Sequence, residues 1–404
     1  MCPRRGSLRY RFVELIGYTQ PADLIQDRAA MTRIVLSVVF SLHALIHLMG
    51  FAKGFGLASF DQLKVPISRP MGALWLAASI LIFAATLLQF VAPRWFWLLG
   101  AIAVVVSQLV IVSSWSDARF GTIANVLLLA ATVYGAFARG PFGLRAEYEG
   151  LVRQSMASVS SSAPPTVITE ADLASLPIHV QRYMRAAGVV GAPRAMGFRS
   201  RMKGRIRGSA TAPWMPFVAE QHSFFGPPRR YFWMEATRAG LPIDGLHAYG
   251  ESGASMRIRL LSMLPVVSLR GAELTATETV TVLNDMCIMA PWSLLDPAIR
   301  WREVDDHTVE ATYTNGPHTI RAALGFDDAG RLANFWSDDR PSLGEDGKTL
   351  QRQRWSTPIS DYRAMGPYRL ASRGEARYAA PSGEYAYIEF DGIEVSALPD
   401  RDAR

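Results

Sequence analysis

The sequence predicts a four-helix transmembrane bundle followed by an α+β soluble domain built on a curled antiparallel sheet. Three observations predict it. Four long apolar runs without charged residues lie between residues 31 and 138. Beyond residue 190 apolar residues recur with period two, as they do in strands. Between these regions the composition turns to Ser, Ala and Pro.

The runs cover residues 34–52, 71–92, 95–114 and 120–138. Each is close to the roughly 17–25 residues that cross a bilayer core. Backbone groups in lipid must be satisfied within the segment, so the runs should be helices. Pro70, Pro93 with Arg94, and residues 115–119 separate them, and Trp75, Trp95, Trp97 and Trp115 sit near their ends as an interfacial belt. Short connections follow the second and third runs, and the 53–69 loop is longer, which suits an antiparallel bundle. Residues 1–30 lack the apolar stretch of a signal peptide and read as a disordered tail, with Met31 as the start.

Half of the 404 residues are hydrophobic and mean hydropathy is +0.11. The net charge of +7 is uneven. Residues 1–150 hold 13 Lys+Arg against 7 Asp+Glu, and the remainder holds 29 against 28. The basic excess therefore travels with the membrane region, where cations meet anionic headgroups. A nearly neutral remainder excludes general nucleic-acid binding. Cys2 and Cys287 have no CxxC partner, so zinc-finger and thioredoxin motifs are absent. With four spans both ends share one side. That side carries Arg28, Arg33, Arg94, Arg139, Arg145 and Arg153 near the helix ends, against Lys53, Lys64, Arg69 and Arg119 opposite. This bias places the soluble domain in the cytoplasm, on a bacterial inner membrane.

Five polar residues mark the bundle: His43, His47, Gln108, Asp117 and Arg69. His43 and His47 are four apart and share a helix face. Such a pair can bind metal or flank a haem. It can equally hydrogen-bond across the bundle to Ser107, Gln108 or Asn125. Asp117 and Arg119 occupy the turn before the fourth run, and Arg69 could pair with Asp61 or Asp117.

Residues 139–168 read as a linker, flexible over the Ser-, Ala- and Pro-rich 153–168, and residues 169–404 as the soluble domain. Thr169 can cap a helix, and Pro177 falls inside it and would split it into two short pieces. Alternation predicts strands at 198–208, 217–225, 230–237, 245–250, 255–261, 308–314, 319–326, 332–338, 374–378 and 385–395. Asn315-Gly316 and residues 327–330 are turns. Residues 277–298 suggest one or two short helices. Arg199, Arg201, Lys203, Arg205 and Arg207 fall on one strand face, and pairing with Glu220 or Glu235 is the expected neutraliser. No G-x-S-x-G, P-loop, H-E-x-x-H or dinucleotide turn is present in the sequence. No catalytic residue or cofactor is therefore expected. The proposed ligand-binding set is Trp214, His222, Trp233, Asp285, Trp292, Trp336, Arg340 and Trp355, with the tryptophans lining an apolar pocket.

Several motifs resemble a known family. H-A-L-I-H-L-M-G-F-A-K-G-F-G-L-A, P-I-S-R-P and S-W-S-D-A-R-F-G-T are similar to a bacterial membrane family. L-P-x-x-V-Q-R-Y-M-R-x-A-G, P-W-M-P-F-x-A-E-Q, N-D-M-C-I-M-A-P and R-Q-R-W-S-T-P-I-S-D-Y resemble DUF6544, earlier DUF6920. The resemblance implies a membrane protein and transfers no activity. The curled sheet is similar in architecture to lipoprotein-carrier half-barrels that hold acyl chains. The sequence thus points to a membrane-anchored binding protein, its partners being the bilayer and a lipid or other apolar small molecule. A haem, metal or redox protein using His43 and His47, and a sensory or interaction module, are the alternatives.

Overall fold

The computed structural model describes residues 21–160, 166–343, 349–381 and 383–398. Helix α1 (Pro21–Gly54) is followed by α2 (Arg69–Val91), α3 (Pro93–Ser113), the single turn α4 (Trp115–Ala118) and α5 (Gly121–Ala138). Four segments are long and apolar enough to cross a membrane: Ala30–Gly54, Arg69–Val91, Pro93–Ser113 and Gly121–Ala138. Proline opens α2 and α3, where its missing N–H has no helical partner to lose. Small residues let the helices approach closely. A Cβ on Gly50 would fall 2.1 Å from the Trp75 ring, so glycine is required where α1 meets α2. Of the expected tail, residues 1–20 lie outside the described residues, and α1 begins at Pro21.

The linker reading needs correction. Residues 144–160 form α6 (Leu144–Ser160), a helix packed on the sheet. Leu144, Tyr148, Leu151, Val152, Ser155 and Val159 recur at helical spacing and form its packed stripe, which the Ser- and Ala-rich composition obscured. Residues 161–165 of the expected flexible stretch lie outside the described residues. Pro177 does split the next helix, into α7 (Glu170–Leu173) and α8 (Ile178–Ala186), and Thr169 with Asp172 forms a capping box on α7.

The remaining strands form one sheet. They are β1 (Gly197–Ile206), β2 (Met215–Phe224), β3 (Arg229–Arg238), β4 (Leu241–Gly250), β5 (Gly253–Leu260), β6 (Leu264–Arg270), β7 (Ile299–Asp305), β8 (Thr308–Asn315), β9 (His318–Phe326) and β10 (Leu332–Ser337). After a separate small ladder of β11 (Ser342–Leu343) with β12 (Leu350–Gln351) come β13 (Trp355–Ser356), β14 (Ile359–Met365), β15 (Tyr368–Ala380) and β16 (Gly383–Leu398). The order is β6-β5-β4-β3-β2-β1-β16-β15-β13-β10-β9-β8-β7, with β14 also on β15, and every pairing is antiparallel.

Helix α9 (Ala272–Met289) lies against the inner face of this sheet. It touches β5 and β6 from one half of the strand order and β9, β10 and β15 from the other. The amide of Asn315 on β8 donates to the Tyr249 hydroxyl on β4 at 2.5 Å, although many strands separate them. The sheet is therefore curled around α9. At Gly204 a Cβ would fall 1.9 Å from the Glu389 carbonyl oxygen, so glycine lets β1 bend against β16 at a bulge. The residues expected as one or two short helices over 277–298 are α9 and a 3-10 turn at Pro291–Leu295.

Candidate functional site

Glu278, Thr281 and Asp285 stand three and four residues apart on α9 and so share one face. That face meets two arginines. Arg230 from the inner face of β3 bonds the Asp285 carboxylate at 2.6 Å and the Glu278 carboxylate at 3.2 Å. Gln221 from β2 donates to Asp285 at 2.7 Å, and His247 of β4 lies 3.7 Å from Glu278. Burial alone would raise the Glu278 carboxyl. His247 with the guanidiniums of Arg230 and Arg340 outweighs it, and holds the carboxyl well below the usual carboxylate range.

Arg340 follows β10 and reaches the same face of α9 at Thr281. Its Nε donates to the Thr281 hydroxyl at 2.9 Å, another guanidinium N–H donates to the Tyr378 hydroxyl, and its plane lies 4.3 Å from the Trp355 ring centroid. The Trp355 indole in turn donates to Tyr387 at 3.2 Å. Among the described residues, the hydrogen-bond partners of Arg340 are thus neutral. Around this cluster the inner face carries apolar side chains that α9 covers only in part: Ile206 on β1, Met234 on β3, Met256 on β5, and Ile388 and Phe390 on β16. A polar cluster with a guanidinium beside half-covered apolar rows can hold a molecule with one charged and one apolar end.

Three of the eight ligand-binding residues inferred from sequence meet here: Asp285, Arg340 and Trp355. The others lie apart, so no tryptophan-lined pocket forms from them. Strand register puts His222 and Trp233 on the outer face, beneath α6. There the Tyr148 hydroxyl and His222 Nδ1 are hydrogen-bonded at 2.7 Å, and Arg145 stacks 4.5 Å from the Trp233 centroid. Burial lowers His222 to about 4, so the imidazole is neutral at pH 7. Trp214 stacks under Arg205 and Arg207, outside the sheet. Trp292 is fully buried and stacked on Tyr368 at 4.2 Å. Trp336 packs against Gly325 on the side of β10 opposite the core residue Phe335. Outside these sets, an open groove of about 700 Å³ runs between α7 and β7, lined by Asp172, Arg194, Asp296, Arg300 and Trp301 among others.

The cationic face of β1 is neutralised in part as the sequence suggests. Arg199 pairs with Glu220 at 2.7 Å and Arg205 with Glu389 at 2.5 Å. Burial works against the Glu220 charge, but Arg145 and Arg199 outweigh it and keep the carboxyl below its ordinary value.

In the bundle, His43 Nε2 lies 3.0 Å from Asn125 Oδ1 and 3.2 Å from Ser107 Oγ, and His47 Nε2 lies 2.8 Å from the same Ser107 hydroxyl. Asn125 donates onward to Gln108 at 2.9 Å. This is the cross-bundle hydrogen-bonding arrangement of the two that the histidine spacing allows. Asp117 accepts the amides of Val65 at 2.7 Å and Lys64 at 2.5 Å, which hold its carboxyl below the ordinary value. These bonds tie the 53–69 loop to α4.

One outer-face carboxyl behaves differently. Burial raises Asp244 to about 6, against the opposing hydrogen bond from Ser262 at 2.9 Å. The folded chain therefore holds this proton more tightly than the unfolded chain, whose value is about 3.9. Stability contributed by this site is full below about pH 4 and lost as pH rises through about 6. Asp244→Asn is expected to raise stability by up to about 3 kcal/mol at pH 7 and by far less at pH 4. Thermal melts at the two pH values check this, and an equal gain at both would contradict it.

Comparison with known proteins adds the following. No curated protein matches the chain. The structure is similar to a domain described as an outer membrane lipoprotein-sorting protein from Vibrio parahaemolyticus, at TM-score 0.31 and 9% identity over 51% of this chain and 88% of that one. It is similar to a LolA superfamily protein from Nitrosomonas europaea, at TM-score 0.29 and 13% identity over 55% and 96%. It is also similar to a DUF1329 family protein from Desulfovibrio piger, at TM-score 0.29 and 12% identity over 62% and 92%. The model of DUF6544, a family of unknown function, matches residues 166–390, and the chain belongs to that family.

Proposed function

We propose that the curled sheet is a membrane-anchored binding module for an amphipathic, lipid-type ligand. In this reading the four apolar helices cross the bilayer with the sheet on the cytoplasmic side, the side that the arginine bias of their ends favours. The ligand's apolar part lies along Ile206, Met234, Met256, Ile388 and Phe390, and its anionic head meets Arg340. The observation that carries this reading is a guanidinium whose hydrogen-bond partners among the described residues are neutral, set beside half-covered apolar rows on the inner face of one sheet. Covering apolar surface gains about 25 cal/mol per Å². A charge-assisted bond to the guanidinium fixes the orientation of the head.

Native mass spectrometry of the full chain, released from detergent by increasing activation, tests this. A lipid adduct that persists after the loosely held lipids leave is expected. Arg340→Gln should weaken it for anionic lipids, and Met256→Glu should abolish it at a position exposed enough to accept the charge. An adduct pattern identical in all three proteins, or none beyond the loosely held lipids, would contradict the reading.

A further inference from the structure

The turn between β3 and β4 and the turn between β5 and β6 meet at one end of the sheet. The Leu261 amide donates to the Pro242 carbonyl at 2.8 Å and ties the two turns together. The tip they form is apolar and uncovered. Leu241 is 45% exposed, Leu264 55% and Val266 61%. It is also held in a costly backbone conformation: Ala239, Leu261 and Ser262 take positive φ values of 50°, 55° and 58°. Non-glycine residues adopt that region at a cost, so the shape of the tip is enforced by its surroundings.

The tip lies beside the end of a membrane-length helix. Tyr134 of α5 sits next to Ser262, Glu235 and Asp244. Arg139, just past α5, pairs with Glu235 at 3.8 Å, and Arg259 of β5 donates to the Phe142 carbonyl at 3.1 Å. Phe142 itself is exposed and packs with Trp97 and Phe137, so an aromatic group marks this end of the bundle. Tyr134 precedes the last residue of α5 by four positions, about 6 Å along the axis. The strained turn that contacts it therefore sits below the helix end, at the depth where headgroups give way to acyl chains.

We propose that this tip is a second membrane contact, in which Leu241, Leu264 and Val266 enter the leaflet from which α5 emerges. The partner is the lipid bilayer itself. Arg238, exposed at the end of β3, stands where a lipid phosphate would meet it. The sheet is then pinned to the surface at two points, by α6 following the bundle and by the tip. The inner face is held close to the leaflet that supplies apolar molecules. The inference requires that the helices cross a bilayer, and it does not depend on a ligand being bound.

Spin labels at Leu264→Cys and Val266→Cys test it, each in the full chain with Cys2→Ser. Cys287 is buried, which pushes its thiol up and keeps it unreactive. A label at Ser252→Cys, in the exposed β4–β5 turn, is the control. It lies about 30 Å away at the other end of β4, at about 3.3 Å per residue. The proteins are reconstituted in vesicles of phosphatidylcholine and phosphatidylglycerol, and relaxation by oxygen is compared with relaxation by a water-soluble nickel chelate. Labels at 264 and 266 are expected to respond to oxygen and to be shielded from nickel, with the reverse at 252. Equal nickel accessibility at all three positions would overturn the proposal. Because no ligand enters the measurement, that result would leave the lipid-binding reading standing, and loss of the persistent adduct would leave the tip standing.

Discussion

Arg230→Met is expected to destabilise the sheet by about 3–5 kcal/mol, because it strands two carboxylates in the interior. Arg230, Glu278 and Asp285 are all buried, and the guanidinium touches both acids. Methionine fills similar volume, so the loss is mainly electrostatic. The pH dependence should follow. In the parent chain the depressed Glu278 carboxyl contributes stability present above about pH 4 and lost as pH falls below it. In the variant the acids are held uncompensated, so the destabilisation should be greatest at neutral pH and shrink toward pH 4. Adding Glu278→Gln and Asp285→Asn to Arg230→Met removes both stranded charges and should recover most of the loss. Urea unfolding of the full chain followed by tryptophan fluorescence reads all of this. A loss below about 1 kcal/mol for the single variant would mean the cluster is solvated rather than buried.

Tyr148→Ala should have the second large effect, about 3–5 kcal/mol by the usual cost of deleting a buried aromatic side chain. Tyr148 is almost fully buried between α6 and the outer face, with its hydroxyl on His222. Its loss should free α6 from β2, β3 and β4 while leaving the helical bundle intact. Amide exchange should accelerate over residues 144–160 and in those strands, and stay slow in α2 and α3. Tyr148→Phe, which keeps the ring and removes the hydroxyl, should cost only about 1–2 kcal/mol. If α6 exchanges no faster in Tyr148→Ala, the residue does not clamp it.

Much of the architecture was legible because it follows from periodicity. The four apolar helices appear as uninterrupted runs, and most strands appear as alternation. β1 is the clearest example, since its cations face outward while Phe198, Met202 and Ile206 face the core. What alternation missed was irregular. β6 and β7 are edge-region strands with exposed apolar and charged residues, β14 is interrupted by polar positions, and β15 is far longer than the segment 374–378.

The inner cluster was legible only at Asp285, Arg340 and Trp355. Its other members were hidden by register. Tryptophans read as one lining set are distributed to both faces, because neighbouring strand residues point to opposite sides. Arg230, Gln221 and His247 share the inner face only through the pairings Arg230 with Ser223, Gln221 with Phe232, and Phe232 with His247. A local signal did exist. Glu278, Thr281 and Asp285 place polar groups at helical spacing, the spacing by which one helix face becomes polar. The Ser- and Ala-rich stretch misled for the opposite reason, since composition there masked the stripe that packs α6.

The central claim is that the inner face of the sheet receives a lipid-type molecule. A phospholipid carrying a diazirine on its acyl chain, incorporated into membranes that contain the full chain and photolysed, tests it most directly. Peptide mapping should find label on β3 and β16, at or beside Met234 and Phe390, in addition to the helices and the Leu264 tip. Met256→Glu should remove the label on β3 and β16 and leave the others. Label confined to the helices and the tip in both proteins would contradict the claim.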